Sequence, residues 1–251
     1  VRDSEAGHKE IDADSFWRLG KQFTELIQDG YGLVVVSSGA MAVGQVVTGA
    51  HEQLDRTDPG DWAKLQRFAG IGWGHILLCW AEATCGITNA SMLLTRTALD
   101  EGEDTRTEAL STVEQHMRHR DLLIVNENDA IAHEEIAYGD NDILAAIFAK
   151  HVAVSMGVPT NLVMLTDTNG VYHDINDPST QIPVIDNLEA YRHVLTTDGA
   201  GFGLGAMDSK FDAELIAGPV GVRTVIANGR EENVIARAIA GQTGTRFSVA
   251  Y

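Results

Sequence analysis

Leu122 to Val125 is a run of four apolar residues that passes directly into Asn126, Glu127, Asn128 and Asp129. A strand with one wet face alternates apolar and polar residues, and a surface helix interrupts its apolar positions every three or four. A short unbroken apolar run closed by polar groups reads instead as a strand buried on both faces, which is the habit of parallel sheets. Open α/β sheets bind their ligands at the carboxyl ends of such strands. After an acidic connection, Gly139, Asp140, Asn141 and Asp142 open a long apolar helix beginning at Ile143, and Asp and Asn are good helix caps. The two polar clusters, one at a strand end and one at a helix start, can face a single crevice. A carboxylate such as Asp129 accepts from an ammonium, while Asn side chains and helix N-terminal N–H groups donate to a carboxylate or phosphate, so the pair suits a zwitterion. Either cluster alone reads equally well as a turn or a plain cap; their combination points to a ligand.

Similar punctuation runs through the rest of the chain. Phe16, Leu19, Phe23, Leu26 and Ile27 recur at helical spacing after Asp12 and Asp14. Gly30 and Gly32 end that helix, and Leu33 to Val36 follows as a short buried strand that leaves through Ser37, Ser38, Gly39 and Ala40. Residues 48 to 61 are polar and read as a loop or lid. Trp62 to Cys85 is helical in pattern, with Gly70, Gly72 and Gly74 bending it or admitting a close neighbour. Asn89 to Leu94 predicts a strand, Asp104 to His119 a helix, and Leu162 to Leu165 a strand ending in Thr166 and Asp167. Asn169-Gly170, just before Val171-Tyr172, favours a tight hairpin turn. Residues 198 to 210, DGAGFGLGAMDSK, read as a glycine-rich loop entering a helix that runs through Ala217. Val222 to Ala227 predicts a further buried strand and Glu232 to Ile239 a final helix. Helices alternating with buried strands make a doubly wound α/β arrangement.

With 251 residues of which 44% are hydrophobic, the chain can bury a substantial core as one α/β domain or two lobes. Its 36 acidic residues against 18 basic ones give a formal charge of −18, which disfavours nucleic acid and anionic membranes as partners. No secretory leader precedes the first helix, and no apolar run reaches the roughly 18 residues that would span a bilayer, so the expected compartment is cytoplasmic. Cys79 and Cys85 lack metal-ligand spacing and read as two core thiols in a reducing compartment. The histidines form no HExxH or similar array, so no protein-held metal is expected.

The segment Gly203, Leu204, Gly205, Ala206, Met207, Asp208, Ser209, Lys210 is not a Walker loop, because GxxxxGK[ST] is absent. It still offers backbone N–H groups, a helix start and a lysine, the means of holding a triphosphate and neutralising charge in phosphoryl transfer. A flexible surface loop with a solvated lysine is the plainer reading of the same residues. Ser37, Ser38 and Gly39 form a strand-to-helix turn, and the absence of GxSxG argues against a serine hydrolase.

Taken in order, Ser37-Ser38-Gly39-Ala40-Met41-Ala42-Val43-Gly44, Asn126-Glu127-Asn128-Asp129, Gly139-Asp140-Asn141-Asp142, Thr166-Asp167 with Gly170-Val171-Tyr172, and the Gly203 to Lys210 segment resemble the glutamate 5-kinase family of the amino acid kinase superfamily. Ala227-Asn228-Gly229-Arg230 and Gly244-Thr245-Arg246-Phe247 fit the same pattern. The resemblance covers nearly the whole chain. It implies a three-layer α/β/α sandwich on a mainly parallel central sheet, with an acceptor-binding part over about residues 1–160 and an ATP-binding part over about 161–251. The implied reaction is L-glutamate plus ATP giving L-glutamyl 5-phosphate plus ADP, the first step of proline biosynthesis. Carried over by motif, Ser38, Gly39, Ala40, Asn126, Asp129 and Asn141 would bind glutamate. Thr166, Asp167, Tyr172, Gly203, Leu204, Gly205, Ala206, Met207, Asp208, Ser209 and Lys210 would bind ATP. Lys210 would be catalytic together with Mg²⁺, and Asp142 would orient it. The family also forms dimers or tetramers, so a homo-oligomer is expected. Since the attacking γ-carboxylate is already ionised, the chemistry needs no general base; it needs two anions held in line and their repulsion offset.

The chain departs from the family pattern in four places. The family begins with a strand carrying a lysine followed by Gly and Ser or Thr; Val1 falls just past it, and neither Lys9 nor Lys21 sits in such a motif, so the first strand is expected to be missing. Leu204 stands where a hydroxyl residue is usual, and Ala206 where glycine is usual. A C-terminal PUA domain, common in the family, is not expected after Tyr251. These departures leave open a kinase for another carboxylate, carbamate or phosphate acceptor, or a catalytically weak glutamate- and ATP-binding regulatory protein.

Overall fold

The computed structural model describes residues 1–3, 9–50, 52–55, 57–100, 102–131, 141–191 and 204–251. They fall into two compact units, Val1–Asn141 and Asp142–Tyr251.

The first unit opens with a short antiparallel ribbon, β1 (Arg2–Asp3) and β2 (Lys9–Glu10). Helix α1 (Ala13–Gln28) follows, capped by Asp12, whose carboxylate accepts from the Ser15 N–H at 3.2 Å. Next come β3 (Val34–Val36), α2 (Ala40–Thr48), α3 (Pro59–Ala83), β4 (Asn89–Leu94), α4 (Arg96–Asp100), α5 (Glu103–His119) and β5 (Leu122–Glu127). Three of these strands form a parallel sheet in the order β3-β5-β4. All six residues of the central β5 are buried, which is why its sequence lacks alternation. The strand runs two residues past the apolar segment and carries Asn126 and Glu127 into the interior with it.

Helix α3 is 25 residues long and unbroken, so its glycines do not interrupt it. Instead Gly72 meets α2 backbone to backbone: a Cβ there would collide with the Ala40 carbonyl oxygen, and a Cβ on Gly44 would collide with that of Phe68. At this crossing glycine serves close approach rather than flexibility. Further along α3, Trp80 is packed by Phe16 and Phe23 of α1, with ring centroids 4.5 and 5.1 Å away. The expectation of two core thiols fails in part. Cys79 lies on α3, partly buried, with its thiol pushed up by that burial, whereas Cys85 is exposed in the turn after the helix ends at Ala83.

The second unit takes up α6 (Asn141–Met156) from its second residue, then β6 (Asn161–Thr166), β7 (Val171–Tyr172), β8 (Gln181–Ile182), β9 (Val184–Ile185), α7 (Leu204–Ala217), β10 (Arg223–Asn228), α8 (Val234–Ile239) and β11 (Thr245–Phe247). Its sheet has the order β6-β10-β11-β9: β10 is parallel to β6 and antiparallel to β11, and β11 is parallel to β9. Phe211, Ile185, Ile226, Leu162 and Met164 form its core, with Phe247 set edge-on to Phe211 at 5.4 Å.

Two expectations are corrected here. The Asn169-Gly170 turn exists, with Gly170 at φ +116°, but it does not close a hairpin. β6 pairs in parallel with β10, and β7 pairs with β8 across the 173–180 segment. The buried Thr245 hydroxyl holds this arrangement, accepting from the Val171 N–H at 2.8 Å and donating to the Ile182 carbonyl at 2.5 Å. The glycine-rich loop, for its part, does not extend to Lys210: from Leu204 onward the chain is helix. Ala and Met favour that conformation, and Gly205 within it does not prevent it. Gly203 and the residues before it, back to 192, lie outside the described residues, as do Gly139 and Asp140.

Candidate active site

In the first unit, the carboxyl end of β5 delivers Asn126, which is 2% exposed. Its Nδ2 reaches the Asp129 carboxylate at 3.4 Å, and its Oδ1 accepts from Asn141 Nδ2 at 3.0 Å. Asn126 therefore joins the residue three ahead of it to one fifteen ahead. The strand-end cluster and one residue of the helix-start cluster thus belong to one hydrogen-bonded chain. Asn141 Oδ1 is buried and has no hydrogen-bond partner among the described residues. A buried acceptor left this way costs about 1–3 kcal/mol, recovered when a donor meets it.

The Ser37-to-Ala40 exit lies beside this strand end, because Ser37 N–H donates to the Val125 carbonyl at 2.9 Å. The roles divide in a way the motif alone conceals. Ser38 is exposed and free to meet a ligand. Gly39 caps α2 at φ +96°, a left-handed conformation that favours glycine. Ala40 is buried and packs against Gly72, so only its backbone faces this role. Ser37, which sequence reasoning passed over, is the structural partner: its hydroxyl accepts from the Trp80 indole N–H at 3.3 Å. The available signal was Trp80 itself, since a buried indole N–H needs an acceptor.

The second unit holds a charge pair. Lys210, on α7 and only 8% exposed, donates to Asp142 Oδ2 at 2.8 Å. Ser209 Oγ donates to the same oxygen at 2.7 Å. Asp142 lies in the first turn of α6, so a carboxylate on one helix meets a lysine on another. Thr166, the last residue of β6, donates through its hydroxyl to Asp167 at 3.3 Å, and its carbonyl accepts from the Gly229 N–H at 2.8 Å. Asp167 is exposed, and Tyr172 is half-buried on β7. Met207 and Asp208 precede Ser209 on α7, and the same helix carries Leu204, Gly205 and Ala206. No side-chain hydrogen bond joins Thr166, Asp167 or Tyr172 to the Lys210 pair among the described residues. Nor do the described residues contain a group of three or more His, Cys, Asp or Glu that could hold a metal ion. A magnesium ion that arrives on a nucleotide needs no such cage, because phosphates and water supply most of its ligands. No helix among the described residues is long and apolar enough to cross a membrane.

Residues 8–228 match the family model described as the amino acid kinase family. Among curated proteins, the chain is 32% identical over 249 residues to a protein named glutamate 5-kinase from Photorhabdus laumondii, spanning 96% of this chain and 64% of that one. It is 35% identical over 246 residues to the Vibrio vulnificus protein of the same name, spanning 94% and 62%. It is 31% identical over 246 residues to the one from Thermus thermophilus, spanning 96% and 64%. The chain thus covers about 64% of the length of such relatives. Among solved structures, an isopentenyl phosphate kinase superposes with a TM-score of 0.57 at 16% identity, covering 99% of this chain and 95% of that one. UMP kinase from Ureaplasma parvum gives 0.56 at 12%, covering 96% and 94%. Those two likenesses establish a shared α/β fold.

Proposed function

Because this chain belongs to the amino acid kinase family, we propose that it transfers the γ-phosphoryl group of ATP to the γ-carboxylate of L-glutamate, giving L-glutamyl 5-phosphate and ADP, the first step of proline biosynthesis. One observation carries this reading: the chain matches proteins named glutamate 5-kinase across nearly all of its own length, and both polar clusters lie within the residues that match the family.

The geometry supports a division of labour between the units. In the first, Asp129 would accept from the glutamate ammonium, and the unspent Asn141 Oδ1 supplies a second acceptor for an N–H donor. Ser38, with the backbone of Gly39 and Ala40, would donate to a glutamate carboxylate. In the second, Thr166, Asp167, Tyr172 and the Leu204–Asp208 stretch of α7 would hold the nucleotide, with Gly203 completing it. Lys210 is the charge that would meet the transferring phosphoryl group. Asp142 keeps its ammonium desolvated but paired until the nucleotide arrives, which spares the site an isolated buried cation. A preorganised ammonium of this kind is typically worth about 10²- to 10³-fold in rate. Mg²⁺ enters as part of the Mg·ATP substrate. Both substrates are soluble metabolites, and we propose cytoplasmic action as a homo-oligomer, a dimer or tetramer.

An acceptor panel tests this proposal. ADP release is measured with L-glutamate, L-aspartate, carbamate, UMP and isopentenyl phosphate, each with Mg·ATP. Glutamate is expected to give the highest kcat/KM; preference for any other acceptor would remove the glutamate assignment while leaving a kinase.

A further inference from the structure

Ser209 and Lys210 both donate to Asp142 Oδ2, at 2.7 and 2.8 Å. Neighbouring residues of a helix point about 100° apart and do not ordinarily share a contact. Their convergence on one oxygen therefore fixes where that oxygen must lie. A carboxylate held by a single flexible ammonium can turn about its last torsion, which is broad. A second donor, short and rigid and arriving from another direction, removes that freedom. The constraint acts where it counts, because the Lys210 side chain is only 10% exposed and its ion pair with Asp142 is close, at 2.8 Å.

We propose that Ser209 is a positioning residue: its hydroxyl locks the Asp142 carboxylate in the orientation that holds the Lys210 ammonium, rather than serving as a ligand to nucleotide phosphate. The proposal rests on the phosphoryl-transfer reading of this site, and the two roles make opposite kinetic demands. Loss of a phosphate ligand weakens nucleotide binding and raises KM for ATP. Loss of a lock loosens the lysine's placement, which matters most where charge develops in the transition state, so kcat falls while KM for ATP holds.

The test uses the whole chain and three variants. Ser209→Ala deletes the hydroxyl; Ser209→Thr and Ser209→Val match each other in shape and differ only in carrying it. Two quantities are read: kcat and KM for ATP from ADP release, and acetylation of Lys210 by acetic anhydride, quantified by mass spectrometry. Ser209→Ala and Ser209→Val are expected to lose about tenfold in kcat, the value of a hydrogen bond to a charged group, with KM for ATP within about twofold. Lys210 acetylation should rise about threefold in both as the pair loosens, and Ser209→Thr should return both readings to near wild type. A rise in KM for ATP at constant kcat, or identical behaviour of the Thr and Val variants, would overturn the assignment. Should the wild-type protein release no ADP at all, the kinase reading fails. The acetylation comparison then still decides the lock: a rise in Val but not in Thr supports it, and equal labelling refutes it.

Discussion

The two polar clusters use opposite chemistry. In the first unit, Asn126, Asp129 and Asn141 form a chain of neutral amides ending on one carboxylate, and Asn141 Oδ1 is buried with no donor among the described residues. In the second unit, Asp142 spends one oxygen on two donors, an ammonium and a hydroxyl. Among the described residues, the first cluster leaves a buried acceptor open to a donor, and the second engages one carboxylate oxygen twice. On the proposed function, the difference separates how an acceptor site and a phosphate site would each be prepared. An amide-lined acceptor site has an unpaired group that rewards the arrival of an ammonium. A charge pair keeps a buried cation matched to an anion until a stronger anion takes it, avoiding the larger cost of an unpaired buried charge.

If that contrast is right, substitutions in the two clusters fail in different ways. The largest effect is expected from Lys210→Met, which should lower kcat for glutamate-dependent ADP release by about 10²- to 10³-fold, while circular dichroism reports a folded protein. Asp129→Ala should lower kcat/KM for glutamate by about 30-fold through loss of its charged acceptor and leave KM for ATP unchanged, as read from initial rates with each substrate varied in turn. A shift in KM for ATP instead would dissolve the distinction between the clusters. Asn141→Ala should cost about tenfold, again in kcat/KM for glutamate, because it removes both a hydrogen bond to Asn126 and the spare acceptor.

The smallest effect concerns a second buried acid of the second unit. Glu214, 3% exposed, has the Tyr251 hydroxyl 2.9 Å from its Oε1 and no lysine or arginine in an ion pair with it among the described residues. Burial raises its pKa above the ordinary 4.5, against the opposing hydrogen bond of Tyr251. The folded state therefore binds this proton more tightly than the unfolded chain does. The stability it contributes is fully present below about 4.5 and is lost as pH rises through the folded value. Glu214→Gln should accordingly flatten the pH dependence of stability above 4.5 and cost little at pH 7, measured by urea unfolding across that range. A large loss at pH 7 with the pH dependence unchanged would mean that Glu214 is held ionised.

Some of this architecture was legible because it follows from burial. β5 could be read from Leu122 to Val125 because two-sided burial erases alternation, and β4 and the long helix α3 followed from their patterns. The short strands β8, β9 and β11 escaped notice: β11 is three residues, Thr245 to Phe247, and only its pairing with β10 and β9 makes it a strand. Asn169-Gly170 signalled a turn but not its partner, since a local dipeptide fixes backbone direction and leaves distant pairing undetermined. Among the site residues, the strand-end amides were readable from their position. That Ser209 turns to Asp142 was not, because the convergence depends on two helices far apart in sequence. Ser37 and Ser38 likewise look equivalent until Trp80 claims one of them.

The most direct test of the central claim is formation of glutamyl hydroxamate from L-glutamate, Mg·ATP and hydroxylamine, because hydroxylamine traps the acyl phosphate itself. The account predicts hydroxamate that requires both glutamate and ATP and falls at least about a hundredfold in Lys210→Met. A folded wild-type protein that forms none, or forms as much with Lys210→Met, would contradict it.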